Sequence, residues 1–97
     1  MLKRTIQNSD VRTMRSLDVM KDISLNLSLG IPVIITYDPQ KISRGVATQI
    51  LLKNLPLEDV YRVRQMDKND FERQKEQDDT LKNAYVITAD EIARYLH

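Results

Sequence analysis

A small alternating α/β sandwich built on a three- or four-stranded, mainly parallel sheet is the fold this sequence predicts, and three observations predict it. The most apolar run, Val33-Ile34-Ile35, lies between Gly30-Ile31-Pro32 punctuation and an Asp38-Pro39 turn signal, as a buried strand would. Apolar residues recur at helical spacing on both sides of that run. The last thirteen residues, YVITADEIARYLH, read as a short strand running directly into a capped helix.

From the start of the chain, Leu2–Gln7 can supply an edge strand. Ser9 or Asp10 can then cap a helix through DVRTMRSLDVMKDISL, in which Leu17, Met20, Ile23 and Leu27 repeat at helical intervals. Gly30 stands where a left-handed C′ residue is wanted, and Pro32 sits at the mouth of the strand Val33–Tyr37. A second reading competes here. Ile23, Leu25, Leu27 and Leu29 alternate with Ser24, Asn26 and Ser28, so residues 22–29 can be written as a strand. They would then form a hairpin with 33–37 in an α+β fold. The upstream cap and the Gly30–Pro32 punctuation favour helix, glycine, strand.

Farther on, ISRGVATQILLKNLP places Val46, Ala47, Ile50 and Leu51 on one helical face from about residue 43, with Asn54 at the end and Pro56 unable to continue. The segment LEDVYRVRQM fits a helix opened by Pro56 or a strand over 60–66. Its β-branched and aromatic content favours the strand, with Arg62, Arg64 and Met66 on the Val60 side. In DKNDFERQKEQDDTLKNA, Asn69 and Glu72 stand at capping spacing, but Phe71 and Leu81 are the only large apolar anchors. A mobile, mostly solvated helix over 67–83 is the expectation, since a docked stripe needs about three apolar residues per two turns. Tyr85-Val86-Ile87 then reads as strand. Thr88 and Glu91 have the spacing of a capping box, and Ile87 with Ile92 that of a hydrophobic staple. Ile92, Tyr95 and Leu96 line the helix that follows from about 89. The predicted order is β-α-β-α-β-α-β-α, and with no Gly/Ser/Pro-rich linker residues 1–97 form one domain.

Composition narrows the chemistry. There is no cysteine, so disulfides, thiolate metal sites and a cysteine nucleophile are excluded, and a cytoplasmic setting is expected. The three-residue run Val33–Ile35 is far short of the roughly 20 apolar residues that span a bilayer, and no apolar stretch follows Lys3 and Arg4, so no membrane partner or secretion signal is expected. His97 is the single histidine and the last residue, a poor place for an oriented catalytic base. Two glycines cannot build a phosphate-binding loop. The acidic string DKNDFERQKEQDD fails as a calcium loop, with Phe71 where an oxygen ligand is required and Glu72 where the glycine belongs. Asp38, at the end of the strand 33–37, is the one acid at a position where open α/β sheets bind ligands; as Asp38-Pro39 it also reads simply as a strand-ending turn. No catalytic residue, metal ligand or cofactor site is expected, and the chain reads as a non-enzyme.

The net charge of +1 conceals segregation. Residues 1–21 carry five basic against two acidic residues, residues 41–64 the same, and residues 67–79 three basic against six acidic. Opposed segments can steer association with a partner or a second copy; a solvated surface that happens to segregate is the plainer account. The leading expectation is a small intracellular binding or regulatory protein that acts through protein–protein contacts and self-associates, with an exposed sheet edge at Leu2–Gln7 or Val33–Tyr37 as the seam. The alternative is nucleic-acid binding through the basic segments 1–21 and 41–64, with Arg12, Arg15, Lys41, Arg44, Arg62 and Arg64 as candidate contacts to phosphate or to a protein partner. A near-neutral chain without a base-stacking aromatic motif argues against it.

The ending ITADEIARYLH also resembles the first helix of helix-turn-helix DNA-binding domains, in which a capped Thr-x-x-Glu-Ile-Ala start is common. The resemblance covers eleven residues. The recognition helix that would read the major groove has no counterpart after it, so DNA reading by that motif is not expected.

Overall fold

The protein, seen in a computed structural model, is described over residues 19–95. The Leu2–Gln7 strand, the cap at Ser9 or Asp10, Arg12 and Arg15 lie outside those residues. Helix α1 occupies 19–28 and is followed by β1 (Val33–Tyr37), α2 (Arg44–Asn54), α3 (Leu57–Arg62), β2 (Arg64–Asp67), α4 (Lys68–Gln74), α5 (Asp79–Lys82), β3 (Tyr85–Thr88) and α6 (Ala89–Tyr95). The three strands form one parallel sheet in the order β2-β1-β3, so the expected α/β class with a parallel sheet is present.

The helix wins over the hairpin at 22–29. Four alternating apolar residues would share one face of a strand, but a helix divides them. Ile23 and Leu27, one turn apart, are 0% and 6% exposed, whereas Leu25 and Leu29 are 56% and 64% exposed. Gly30 takes φ +76°, its N–H bonds to the carbonyl of Leu27, and the N–H of Ile31 bonds to that of Asn26. These bonds close a Schellman cap, which an L-residue at position 30 would strain by about 1–2 kcal/mol.

The strand expected over 60–66 is corrected. Pro56 fixes the entry of α3, whose first turn holds Glu58 and Asp59, favourable partners for the positive end of a helix. The β-branched residues Val60 and Val63 face the core from the helix and from its C-cap rather than from a ladder. Only Arg64–Asp67 pairs with β1, Ile34 opposite Arg64 and Tyr37 opposite Asp67. Two hydrogen bonds secure α3 against α1: Ser24 donates to the buried Asp59 carboxylate at 3.3 Å, and Arg62 donates to the Leu27 carbonyl at 2.7 Å. The segment 67–83 holds two short helices. Asp67, not Asn69, caps α4 by accepting from the Asn69 N–H at 2.7 Å, and Asp78 restarts the chain as α5 by accepting from the Thr80 N–H at 2.9 Å. Phe71 and Leu81 are its anchors, as expected.

Two cores flank the sheet. Val33 and Ile35 point to one face, where Ile23, Ala47, Leu51, Leu55, Ile87 and Ile92 bring α1, α2 and α6 together. Ile34 points to the other, where Met66, Phe71 and Leu81 make a smaller cluster under α4 and α5. Val46, expected on the buried face of α2, is 45% exposed. The crossover from β1 to β2 leads outward from the centre and the one from β2 to β3 leads back past it. Right-handed connections then place their helices on opposite faces, and the two cores are arranged accordingly.

Candidate functional site

Two surfaces follow from this topology. The first is the outer edge of β3. Among the described residues β3 pairs with β1 alone, and the carbonyl of Pro32 accepts its first N–H, that of Tyr85, at 2.9 Å. Its residues Tyr85-Val86-Ile87-Thr88 include no charge, proline or bulge of the kind that blocks edge pairing. Val86 is 39% exposed and lines a depression of about 290 Å³ with Phe71, Leu81 and Ala84, where the short α4 and α5 leave the smaller core incompletely covered. Lys75, Glu76 and Lys82 rim it. Lys75 is engaged at home, 2.9 Å from Glu72 and 5.7 Å from the Phe71 ring centroid. The seam expected at Val33–Tyr37 is corrected by the same pairing, because β1 is the central strand with a neighbour on each side.

The second surface is a crevice of about 180 Å³ above the carboxyl ends of β1 and β3, the switch point at which doubly wound sheets bind ligands. Here Asp38 is joined by groups that sequence spacing alone did not bring to it: Lys41 from the following turn, Lys68 from the start of α4, and Thr88 and Asp90 from the junction of β3 and α6. The Asp38 carboxylate accepts from the Gln40 N–H at 3.0 Å and lies 3.4 Å from Lys68 Nζ. The Gln40 bond is the main reason its carboxyl sits below the ordinary carboxylate value; burial opposes the shift, and Lys68 and Lys41 add to it. Thr36 and Thr88 are register partners on the same face of β1 and β3, so their side chains stand next to one another. Register is the signal that could have found them: Thr88 ends β3, and Thr36 stands one residue before the end of β1.

The predicted basic contacts divide. Lys41 lines the crevice, and Arg44 and Arg64 line a separate depression that also holds Asp67 and Asp70. The expectation that Arg62 and Arg64 share a strand face is corrected: Arg62 ends α3 and donates to Leu27, while Arg64 begins β2. No group of three or more His, Cys, Asp or Glu is placed to hold a metal ion among the described residues, and none of their helices is long and apolar enough to cross a membrane. Comparison with protein-family models, curated proteins and solved structures finds no match to the chain.

Proposed function

We propose that this chain is a small, non-enzymatic, cytoplasmic binding or regulatory protein that works through protein–protein contact, and that one partner is a second copy of itself joined at β3. The observation that carries this reading is the uncharged outer edge of β3 beside the exposed Val86. Two copies related by a twofold axis can pair these strands antiparallel, giving partners to the outward N–H and C=O groups that have none among the described residues and continuing the described sheet from three strands to six. The seam is self-complementary, as a twofold contact requires. Only four residues a side enter it, so the buried area falls below the roughly 1,200 Å² of standard interfaces and the dimer is weak and concentration-dependent.

Light scattering coupled to size exclusion, run over a concentration series, tests this directly. The expected outcome is a mass that rises towards that of a dimer with concentration, and a Val86→Lys variant that stays monomeric with an unchanged circular dichroism spectrum. A wild-type chain that is monomeric throughout overturns the reading. Nucleic-acid binding is the second reading, and the convergence of Arg44 and Arg64 from different elements on one depression favours it. Asp67 and Asp70 in the same depression work against it. A salt-sensitive gel shift abolished by Arg44→Glu with Arg64→Glu supports the second reading, and no shift at low salt removes it.

A further inference from the structure

The switch-point crevice carries an inference independent of the β3 seam. Its walls combine two ammonium groups, Lys41 and Lys68, with two carboxylates, Asp38 and Asp90. Asp38 and Lys68 already face each other at 3.4 Å. That leaves Lys41 and Asp90, which make no ion pair among the described residues and enter the crevice from different connections, one after β1 and one after β3. Thr36 lines the same crevice; it is 5% exposed and its hydroxyl has no hydrogen-bond partner among the described residues. A hydroxyl with no protein partner that still reaches solvent is met by water, and a ligand can take that water's place. No side-chain oxygen or nitrogen sealed from solvent lacks a partner among the described residues, so the Thr36 hydroxyl is open to the crevice that it lines. The Thr88 hydroxyl, next to it in register, accepts from the Glu91 N–H at 3.1 Å and keeps its own proton to donate.

The charges of the lining cancel, which disfavours both a bare anion and a bare cation. A phosphate would meet Asp38 and Asp90, and a metal ion would meet Lys41 and Lys68. A molecule with separated charges satisfies both groups that lack an ion pair. The volume sets its size: about 180 Å³ corresponds to about six waters and is well under the roughly 300 Å³ at which drug-sized pockets begin. We infer that this crevice is a binding site for a small zwitterion of the amino-acid class, its carboxylate on Lys41, its ammonium on Asp90, and its polar atoms bonded by the Thr36 and Thr88 hydroxyls.

The test is a chemical-shift titration of the full chain in which the proteinogenic amino acids serve as probes, with acetate, methylamine and inorganic phosphate as single-charge controls. The expected result is saturable shifts at Thr36, Lys41, Thr88 and Asp90 with at least one amino acid and none with the three controls. Lys41→Ala and Asp90→Asn should each weaken that binding by about tenfold or more, the usual consequence of removing one charged hydrogen-bond partner. Thr36→Val keeps the shape and β-branching of a strand residue, so it folds as the parent does and weakens the same titration several-fold. The inference is overturned if no amino acid produces saturable shifts, if phosphate or methylamine alone binds as well, or if Thr36→Val and Lys41→Ala bind like the parent.

Discussion

β2 and β3 are the outer strands of one parallel sheet, each four residues long and paired with β1, and each ends in a residue that caps the next helix. Asp67 closes β2 and caps α4; Thr88 closes β3 and receives the Glu91 N–H at the start of α6. Outward they part company. β2 reads Arg64-Gln65-Met66-Asp67, with a charge at either end and Gln65 tied to Thr48 of α2 by a hydrogen bond at 3.0 Å. β3 reads Tyr85-Val86-Ile87-Thr88 and has no charged residue. Charged residues on an edge strand are a common device against pairing with other chains, and here one edge has it and the other does not. The contrast teaches that an unguarded edge is a property of one strand in this sheet rather than of small sheets in general, and it is the reason β3 is proposed as the seam.

The largest effect that sharpens the comparison is inward rather than outward. Ile87, 4% exposed, belongs to the larger core shared with α1, α2 and α6, while Met66, 6% exposed, belongs to the four-residue cluster under α4 and α5. Truncating a buried Ile or Met to alanine costs about 2–5 kcal/mol. Ile87→Ala should fall near the top of that range and Met66→Ala near the bottom, because a flexible side chain in a small cluster leaves surroundings that collapse more readily. Urea unfolding monitored by circular dichroism measures both. Equal losses would mean that the two faces carry the sheet equally.

Next in size is the outward contrast. If β3 is the seam, Val86→Lys raises the dimer dissociation constant at least tenfold, about 1.4 kcal/mol, whereas Arg64→Val on β2 leaves it within about twofold. Sedimentation equilibrium separates the two. A dimer weakened by changes at β2 but not at β3 would place the seam on the other edge. The caps come third: Asp67→Ala and Thr88→Ala each remove one side-chain acceptor from a helix start and should cost about 1 kcal/mol, or about 4–8 °C in thermal midpoint for a domain of this size.

Much of this contrast was legible in the sequence where local chemistry fixes local structure. Thr88 with Glu91, Gly30 before Pro32, and Asn54 ahead of Pro56 mark element ends through hydrogen bonds and backbone restrictions acting within a few residues. Within the strand expected over 60–66, Arg64–Met66 are strand, and residues 60–63 misled because β-branched side chains fit a helix packed on a core as well as a strand. The crevice was legible only as Asp38. Lys68 and Asp90 lie 30 and 52 positions farther along, and only the strand order β2-β1-β3 carries them to the same end of the sheet. Edge and centre were likewise invisible: Val33–Tyr37 is the most apolar strand because it is covered on both faces and flanked on both sides.

The smallest effect is a titration at the edge itself. Tyr85 opens β3 beside Val86, and its phenol is raised above the ordinary value of 10.0, first by burial and then by the carboxylates of Asp22 and Glu91, all of which disfavour the phenolate. The folded chain therefore holds this proton more tightly than the unfolded chain. The stability it contributes is complete below pH 10 and is lost as the pH climbs through the folded-state value. The component of tyrosinate absorbance that disappears in Tyr85→Phe should accordingly titrate late, above the ordinary range. If two β3 edges pair, a second copy lies against Tyr85 and removes more water from the ring, so raising the protein concentration should move that component higher still. A late component that does not shift with concentration would mean that the seam leaves Tyr85 as solvated as it is in one copy, and would confine the contact to Val86 and the depression beside it.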